Sequence, residues 1–92
     1  MIKTFKHKGL REAFERGTSR HVDPKQIKRV VVILDVINRA RTTQDIDQPG
    51  YRLHTLAPSR PNTWTIRLQG PFRITFAFTN GDAYDVDLEQ YH

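Results

Sequence analysis

The hydrophobic period of this chain changes near Gly50, and this change limits the fold more than any other feature. After Gly50, apolar and polar side chains alternate in four runs, which read YRLHTL, TWTIRLQ, FRITFAF and AYDVDLE. Such alternation is typical of strands with one buried face. The runs are separated only by APSRPN, GP and NGD, which are too short for a crossover connection. An antiparallel meander is therefore predicted, with one apolar face that other elements must cover.

The first half of the chain predicts two helices that would cover this face. LREAFERG carries apolar residues at helical spacing and stops at Gly17. A second helix is predicted from Asp23 as N-cap, Pro24 at the first helical position and Gln26 three residues past the cap, and it extends to about Arg41. Read alone, VVVILDVI inside this segment would also fit a buried strand, but the cap and the length favour a helix.

A short edge strand is predicted at Ile2 and Phe5, before the first helix. The predicted fold class is therefore α+β, with an antiparallel, mainly meander sheet of about five strands packed on two N-terminal helices. A length of 92 residues suits a single domain over residues 1–92 with a modest core.

Composition narrows the classes of function. The chain has no cysteine, so it forms neither a disulfide framework nor a thiolate metal site. Its start, MIKTFKHKGL, lacks the apolar run of a signal peptide, and we expect a cytoplasmic protein with no membrane partner. Fifteen Lys and Arg residues against ten Asp and Glu residues give a net charge of +5, which favours a polyanionic partner.

The alternation also predicts the register of the central hairpin. Paired residues must point to the same face, so Trp64 should lie opposite Phe76, with the turn at 69–71. Arg67 then lies opposite Arg73 on the polar face. Two like charges in direct opposition repel each other, and a bound phosphate would relieve that repulsion.

The same rule predicts that Phe78 pairs with Tyr84 and that Arg73 also faces Glu89. A two-residue turn at Asn80–Gly81 would break this match, so a three-residue loop or a bulge is expected there.

If the pairing of the last two strands continues by one residue pair beyond Arg73 and Glu89, Tyr91 and then His92 lie at the end of the sheet that carries Arg67 and Arg73. The side chain of His54 is expected to point to the polar face if its strand pairs with the next one through a six-residue loop at APSRPN. In the alternative interpretation this face is an ordinary solvated surface on which carboxylates neutralise the arginines, and Arg60 is a loop charge.

Several segments, in the same order and at the same separations, resemble the HigB toxins of bacterial toxin–antitoxin pairs, within the RelE superfamily. They are MIKTFKHKGL, GYRLHTL, the spaced W-T-I-R-L, FRITFAF and NGDAYDVDLEQYH, and the likeness covers the whole chain. The resemblance implies a compact α+β domain related to small microbial ribonucleases, which cuts messenger RNA in the ribosomal A site. It also implies neutralisation by HigA, a helix-turn-helix antitoxin through which alone the toxin would reach operator DNA.

The resemblance further implies a reaction without metal or cofactor, in which a ribose 2′-hydroxyl attacks the adjacent phosphate. His54, Arg73, Tyr91 and His92 match positions that the family uses. An arginine offers two parallel donors to phosphate oxygens, which suits Arg73 to charge stabilisation. The imidazoles suit proton transfer, with base and acid left unassigned, and Tyr91 suits orientation or stacking on a base.

Three positions depart from the family pattern. Ala57 replaces a lysine, Pro71 an asparagine and Gln90 an aspartate. Arg60 is the cation that remains in its segment, and we expect it to contact RNA phosphate together with Arg67. These departures support a second hypothesis, a ribosome-binding or antitoxin-binding module that does not cleave RNA.

Overall fold

The computed structural model describes residues 1–90. The helices are α1 (Lys8–Arg16), α2 (Ile27–Arg39) and α3 (Thr43–Ile46), and the strands are β1 (His54–Ala57), β2 (Arg60–Arg67), β3 (Phe72–Thr79) and β4 (Asp82–Gln90). The strands form one antiparallel sheet in the order β1-β2-β3-β4, which confirms the α+β class and the meander.

Within the described residues, the sheet has four strands rather than the predicted five. Ile2 and Phe5 do pair at its edge, but only through two isolated parallel bridges, to Ala83 and Val86 of β4. Backbone bonds from Lys3 N–H to Ala83 O (2.8 Å) and from Ala83 N–H to Met1 O (3.0 Å) hold this segment in place. The N-terminal segment therefore covers the free edge of β4 without forming a strand of its own.

One face of the sheet packs on α1 and α2. The core joins residues of all these elements, namely Leu10, Ala13, Val30, Ile33, Leu34, Ile37, Ile66, Ile74, Phe76 and Val86. Val32, on the outer side of α2, is 57% exposed. The opposite face of the sheet is left for polar side chains. No helix in the described part of the chain has the length and hydrophobicity needed to cross a bilayer.

The start of α1 depends on a histidine side chain. His7 is the N-cap, and its Nδ1 accepts a hydrogen bond of 3.1 Å from the Leu10 N–H. Gly9 packs so closely here that a Cβ on it would lie 2.7 Å from both His7 Cε1 and His21 Cβ. Burial lowers the pKa of His7 below its ordinary value. Gly17, with φ +77°, is the C-cap that stops the helix, as predicted.

The predicted start of α2 is three residues too early. Asp23 caps a turn rather than the helix, because its Oδ1 accepts from Lys25 N–H (2.9 Å) and its carbonyl accepts from Gln26 N–H (2.8 Å). Gln26 is the N-cap, and the helix ends at Arg39, two residues before the predicted end. The short helix α3, which the sequence reading missed, begins with a capping box between its N-cap Thr42 and Asp45.

The central hairpin has the predicted register, with Trp64 opposite Phe76 and Arg67 opposite Arg73. Before it, the predicted six-residue loop is wrong. Strands β1 and β2 are joined by a turn at 58–59, and Ala57 pairs directly with Arg60. Arg60 is thus the first residue of β2 and not a loop residue.

The last hairpin contains the predicted bulge, but the bulge lies inside β4 and not at the turn. Its turn is the plain two-residue Asn80–Gly81, with φ values of +53° and +80°, so the three-residue loop is wrong. The extra residue lies inside β4, where Asp85 has φ +54° and the register shifts by one. Tyr84 consequently pairs with Ala77 instead of Phe78. It therefore belongs to the polar face rather than the apolar one.

Candidate active site

The polar face of the sheet carries two cross-strand rows. Thr65, Thr75 and Asp87 lie opposite one another in the first row, and Arg67, Arg73 and Glu89 lie opposite one another in the second. His54 pairs with Thr65, so it lies on the polar face of the sheet, as predicted. Neighbouring strands are about 4.8 Å apart and a strand rises about 3.4 Å per residue, so the backbones of His54 and Arg73, two strands and two residues apart, are separated by about 12 Å.

Glu89 is the centre of the ionic contacts on this face. Arg60 donates to it twice, from Nη1 to Oε1 (3.0 Å) and from Nη2 to Oε2 (2.9 Å). The Thr75 hydroxyl donates to Oε2 at 2.5 Å. Arg73 Nη2 lies 3.9 Å from Oε1, and the Arg73 side chain is 17% exposed. The Arg60 hydrogen bonds, followed by the Thr75 bond and the nearby arginine charges, lower the pKa of Glu89 to about 2, against the effect of burial.

A cavity of about 190 Å³ opens over these groups. Lys6 and Arg60 line it as cations, and Asp85, Asp87 and Glu89 line it as anions. Two guanidinium groups therefore already bind one oxyanion on this face, although that oxyanion is a carboxylate of the chain itself. No group of three or more metal-ligating side chains occurs among residues 1–90.

His54 is exposed at the start of β1, and a hydrogen bond sets the state of its ring. Its Nδ1 lies 2.6 Å from the Arg52 carbonyl oxygen. A carbonyl oxygen only accepts hydrogen bonds, so Nδ1 carries the proton in this contact. In the neutral ring Nε2 then keeps its lone pair, and that atom is able to accept a proton from a bound molecule.

The remaining predicted residues are distributed as follows. Arg67 is exposed and lines an open groove with Arg29 and Arg52, while its backbone faces Arg73 as predicted. The proposed pairing and roles of Tyr91 and His92 lie outside the described residues.

Sequence reasoning missed the central position of Glu89 and the place of Tyr84 on this face. The register did put Glu89 opposite Arg73. However, because Arg60 was predicted to lie in a loop, its contact with the same carboxylate was not predicted. No sequence signal marks the bulge at Asp85, so the alternation of apolar residues predicts that Tyr84 lies on the other face.

Comparison with known proteins agrees with this fold. Residues 3–92 match the family model of HigB-like toxins, described as the RelE-like toxin HigB of type II toxin–antitoxin systems. The chain is also 40% identical to a curated protein of Proteus vulgaris, named Endoribonuclease HigB, over 92 residues that cover all of both chains. The chain therefore belongs to the HigB-like family of RelE-like toxins from type II toxin–antitoxin systems.

Proposed function

We propose that this toxin is an endoribonuclease that cuts messenger RNA in the ribosomal A site, with no metal in the reaction, and that residues 1–92 form one toxin domain. The observation that carries the proposal is the pair of arginines, Arg60 and Arg73, bound to one carboxylate on the same open face as His54. The name of the Proteus vulgaris relative, Endoribonuclease HigB, supports the same activity.

In the proposed reaction, a ribose 2′-oxygen attacks the neighbouring phosphorus and the bond to the 5′-oxygen breaks. The products are a 2′,3′-cyclic phosphate and a 5′-hydroxyl, so one proton leaves the nucleophile and one reaches the leaving oxygen. His54 serves one of these transfers through Nε2, and His92 serves the other. Arg73 stabilises the extra negative charge on the phosphorane, and Tyr91 orients the substrate or stacks on a base.

The phosphate must compete with Glu89 for Arg73. The pKa of Glu89 is so low that the carboxylate is fully ionised at neutral pH and holds Arg60 in two hydrogen bonds. Binding of RNA therefore exchanges one oxyanion for another at Arg73, while Arg60 and Thr75 keep Glu89 in place. This exchange avoids leaving an unpaired charge on either side.

A second candidate function is a module that occupies the ribosome or the antitoxin without cutting RNA. The position opposite Arg60 is Ala57 and offers no cation, and Glu89 already occupies Arg60 and Arg73. In both cases the proposed protein partners are a HigA-type helix-turn-helix antitoxin and the ribosome, in the cytoplasm. Operator DNA is reached only through the antitoxin.

Cleavage of messenger RNA on programmed ribosomes tests this proposal. The reaction contains EDTA, and matched reactions contain either free messenger RNA or a message with a 2′-deoxy nucleotide at the cleaved position. We expect cleavage of the ribosome-bound message, products that end in 2′,3′-cyclic phosphate, and no cleavage of the deoxy message. Binding to ribosomes without cleavage would support the second candidate instead.

A further inference from the structure

A second cationic feature lies beside the active-site face, at the end of β2. It is an open groove of about 450 Å³, lined by Arg29 of α2, Arg52 before β1, Arg67 of β2, and by Gly50, Leu68 and Gln69. All three arginines are exposed, and among residues 1–90 no acidic side chain lines the groove. We propose that this groove binds the phosphodiester groups of the RNA strand next to the bond that is cut, a proposal that rests on the function given above.

Arg29 is held in position by partners that carry no negative charge. Its Nη2 lies 3.5 Å from the carbonyl oxygens of both Gly50 and Arg67. Its Cζ lies 5.6 Å from the centre of the Tyr51 ring, within the range of a cation–π contact. Carbonyl and aromatic partners orient the guanidinium but do not neutralise it, so the positive charge remains available to an anion.

Arg52 connects the groove to the active site. Its side chain lines the groove, and its carbonyl oxygen accepts the 2.6 Å hydrogen bond that orients His54. Its φ of +51° is unusual for a residue other than glycine, and such conformations cluster at functional sites. An RNA strand whose reacting phosphate lies at His54 therefore passes Arg52 as it leaves.

The ligand chemistry follows from the composition of the groove. Three guanidinium groups in a lining that includes no acidic side chain among residues 1–90 suit a chain of regularly spaced phosphates, which an RNA strand supplies. Such contacts position the strand and do not read its sequence. An acidic segment of a protein partner is the competing occupant, and the experiment separates the two.

The test compares two variants of equal charge. The groove variant is Arg29→Gln, Arg52→Gln and Arg67→Gln, and the control variant is Arg11→Gln, Arg16→Gln and Arg20→Gln, three exposed arginines that do not line the groove. The probe is a short single-stranded RNA with 2′-O-methyl groups, which cannot be cleaved by 2′-hydroxyl attack. Its affinity is measured by fluorescence anisotropy over a series of salt concentrations.

We expect the groove variant to lose about tenfold or more in affinity, with a log–log salt slope that is smaller by about 2, because three phosphate contacts on a single strand each contribute about 0.7. The control variant should keep most of the affinity. Because Arg29 packs on Tyr51, a double variant that keeps Arg29 and changes only Arg52 and Arg67 is measured as well, and its slope should fall by about 1.4.

Each other outcome has a distinct meaning. Equal losses in the groove and control variants, or no affinity of the wild type for the probe, would overturn the proposal. A groove variant that keeps its RNA affinity but no longer binds the purified antitoxin would overturn it in favour of an acidic protein segment. A wild type that binds the probe through the groove but does not cut ribosome-bound messenger RNA would leave the groove standing and reject the proposed function.

Discussion

Arg60 and Glu89 are 29 positions apart in the sequence, yet two parallel hydrogen bonds of 3.0 and 2.9 Å join them across the polar face of the sheet. The pair links the start of β2 to the end of β4 over the intervening strand β3. With the Thr75 hydroxyl it fixes the carboxylate beside Arg73. The geometry of the proposed phosphate site therefore depends on this ion pair.

Glu89→Gln should destabilise the protein at neutral pH. The pKa of Glu89 is about 2 in the folded chain, against an ordinary value of 4.5, so the ionised carboxylate favours folding. Its contribution is present above pH 4.5 and is lost as the pH falls through 2. The shift corresponds to at most about 3 kcal/mol, and less in practice because the Arg60 side chain is 41% exposed.

Denaturant unfolding of both proteins over this pH range measures the effect. The matched control is Asp35→Asn, which breaks the exposed Asp35–Arg39 pair of α2 (3.1 Å) and should change stability by about 0.5 kcal/mol or less. Equal stability of Glu89→Gln and wild type at pH 7 would show that the ion pair contributes nothing.

The histidine cap of α1 should make stability depend on pH in a second range. Burial lowers the pKa of His7 below 6.5, so the unfolded chain takes up its proton before the folded chain does. The contribution of neutral His7 is therefore present above pH 6.5 and is lost as the pH falls through the lower, folded pKa.

His7→Asn keeps a capping acceptor that does not titrate, whereas His7→Ala removes the cap at a cost of about 1 kcal/mol. Thermal unfolding between pH 5 and pH 8 should thus show a weaker pH dependence for the asparagine variant than for the wild type. An unchanged pH profile would mean that His7 does not titrate with folding.

Deletion of Tyr91 and His92 should separate folding from catalysis. The buried core residues of the described chain lie between Ile2 and Val86, so we expect the loss of the last two residues to cost about 1 kcal/mol or less. Loss of a proton-transfer group should reduce cleavage of ribosome-bound messenger RNA by at least about 100-fold. Thermal unfolding and cleavage are measured together on both chains. A shortened chain that does not fold would assign the two residues a structural role, and one that cuts at the original rate would remove them from the active site.

The sequence predicts the middle of the sheet well because its alternation is strict. Trp64 and Phe76 must both face the helices, and this alone sets the register that brings Arg67 opposite Arg73. The same logic fails near the start of β4, where one extra residue at Asp85 reverses the alternation. The apolar ring of Tyr84 suggests a core position, although the Asn80–Gly81 signal for a two-residue turn is correct.

The candidate site is only partly visible in the sequence for a related reason. Alternate residues of a strand point to opposite faces of the sheet, and this backbone property predicts that Arg73 and His54 share a face. The two bonds between Arg60 and Glu89 depend on long side chains that meet across three strands, and no local pattern encodes such a meeting. The same holds for the groove, because Arg29 reaches Arg67 from a helix 38 positions away in the sequence.

Single-turnover cleavage of messenger RNA on programmed ribosomes tests the central claim most directly when it compares site variants with matched surface variants. The site variants are His54→Ala and Arg73→Gln, and the surface variants are His21→Ala and Arg39→Gln, whose side chains are 53% and 78% exposed. Thermal unfolding confirms that each protein folds. We expect rate losses of at least about 100-fold for the two site variants and wild-type rates for the two surface variants. Wild-type rates for folded His54→Ala and Arg73→Gln would contradict the claim, since the polar face of the sheet would then not be the active site.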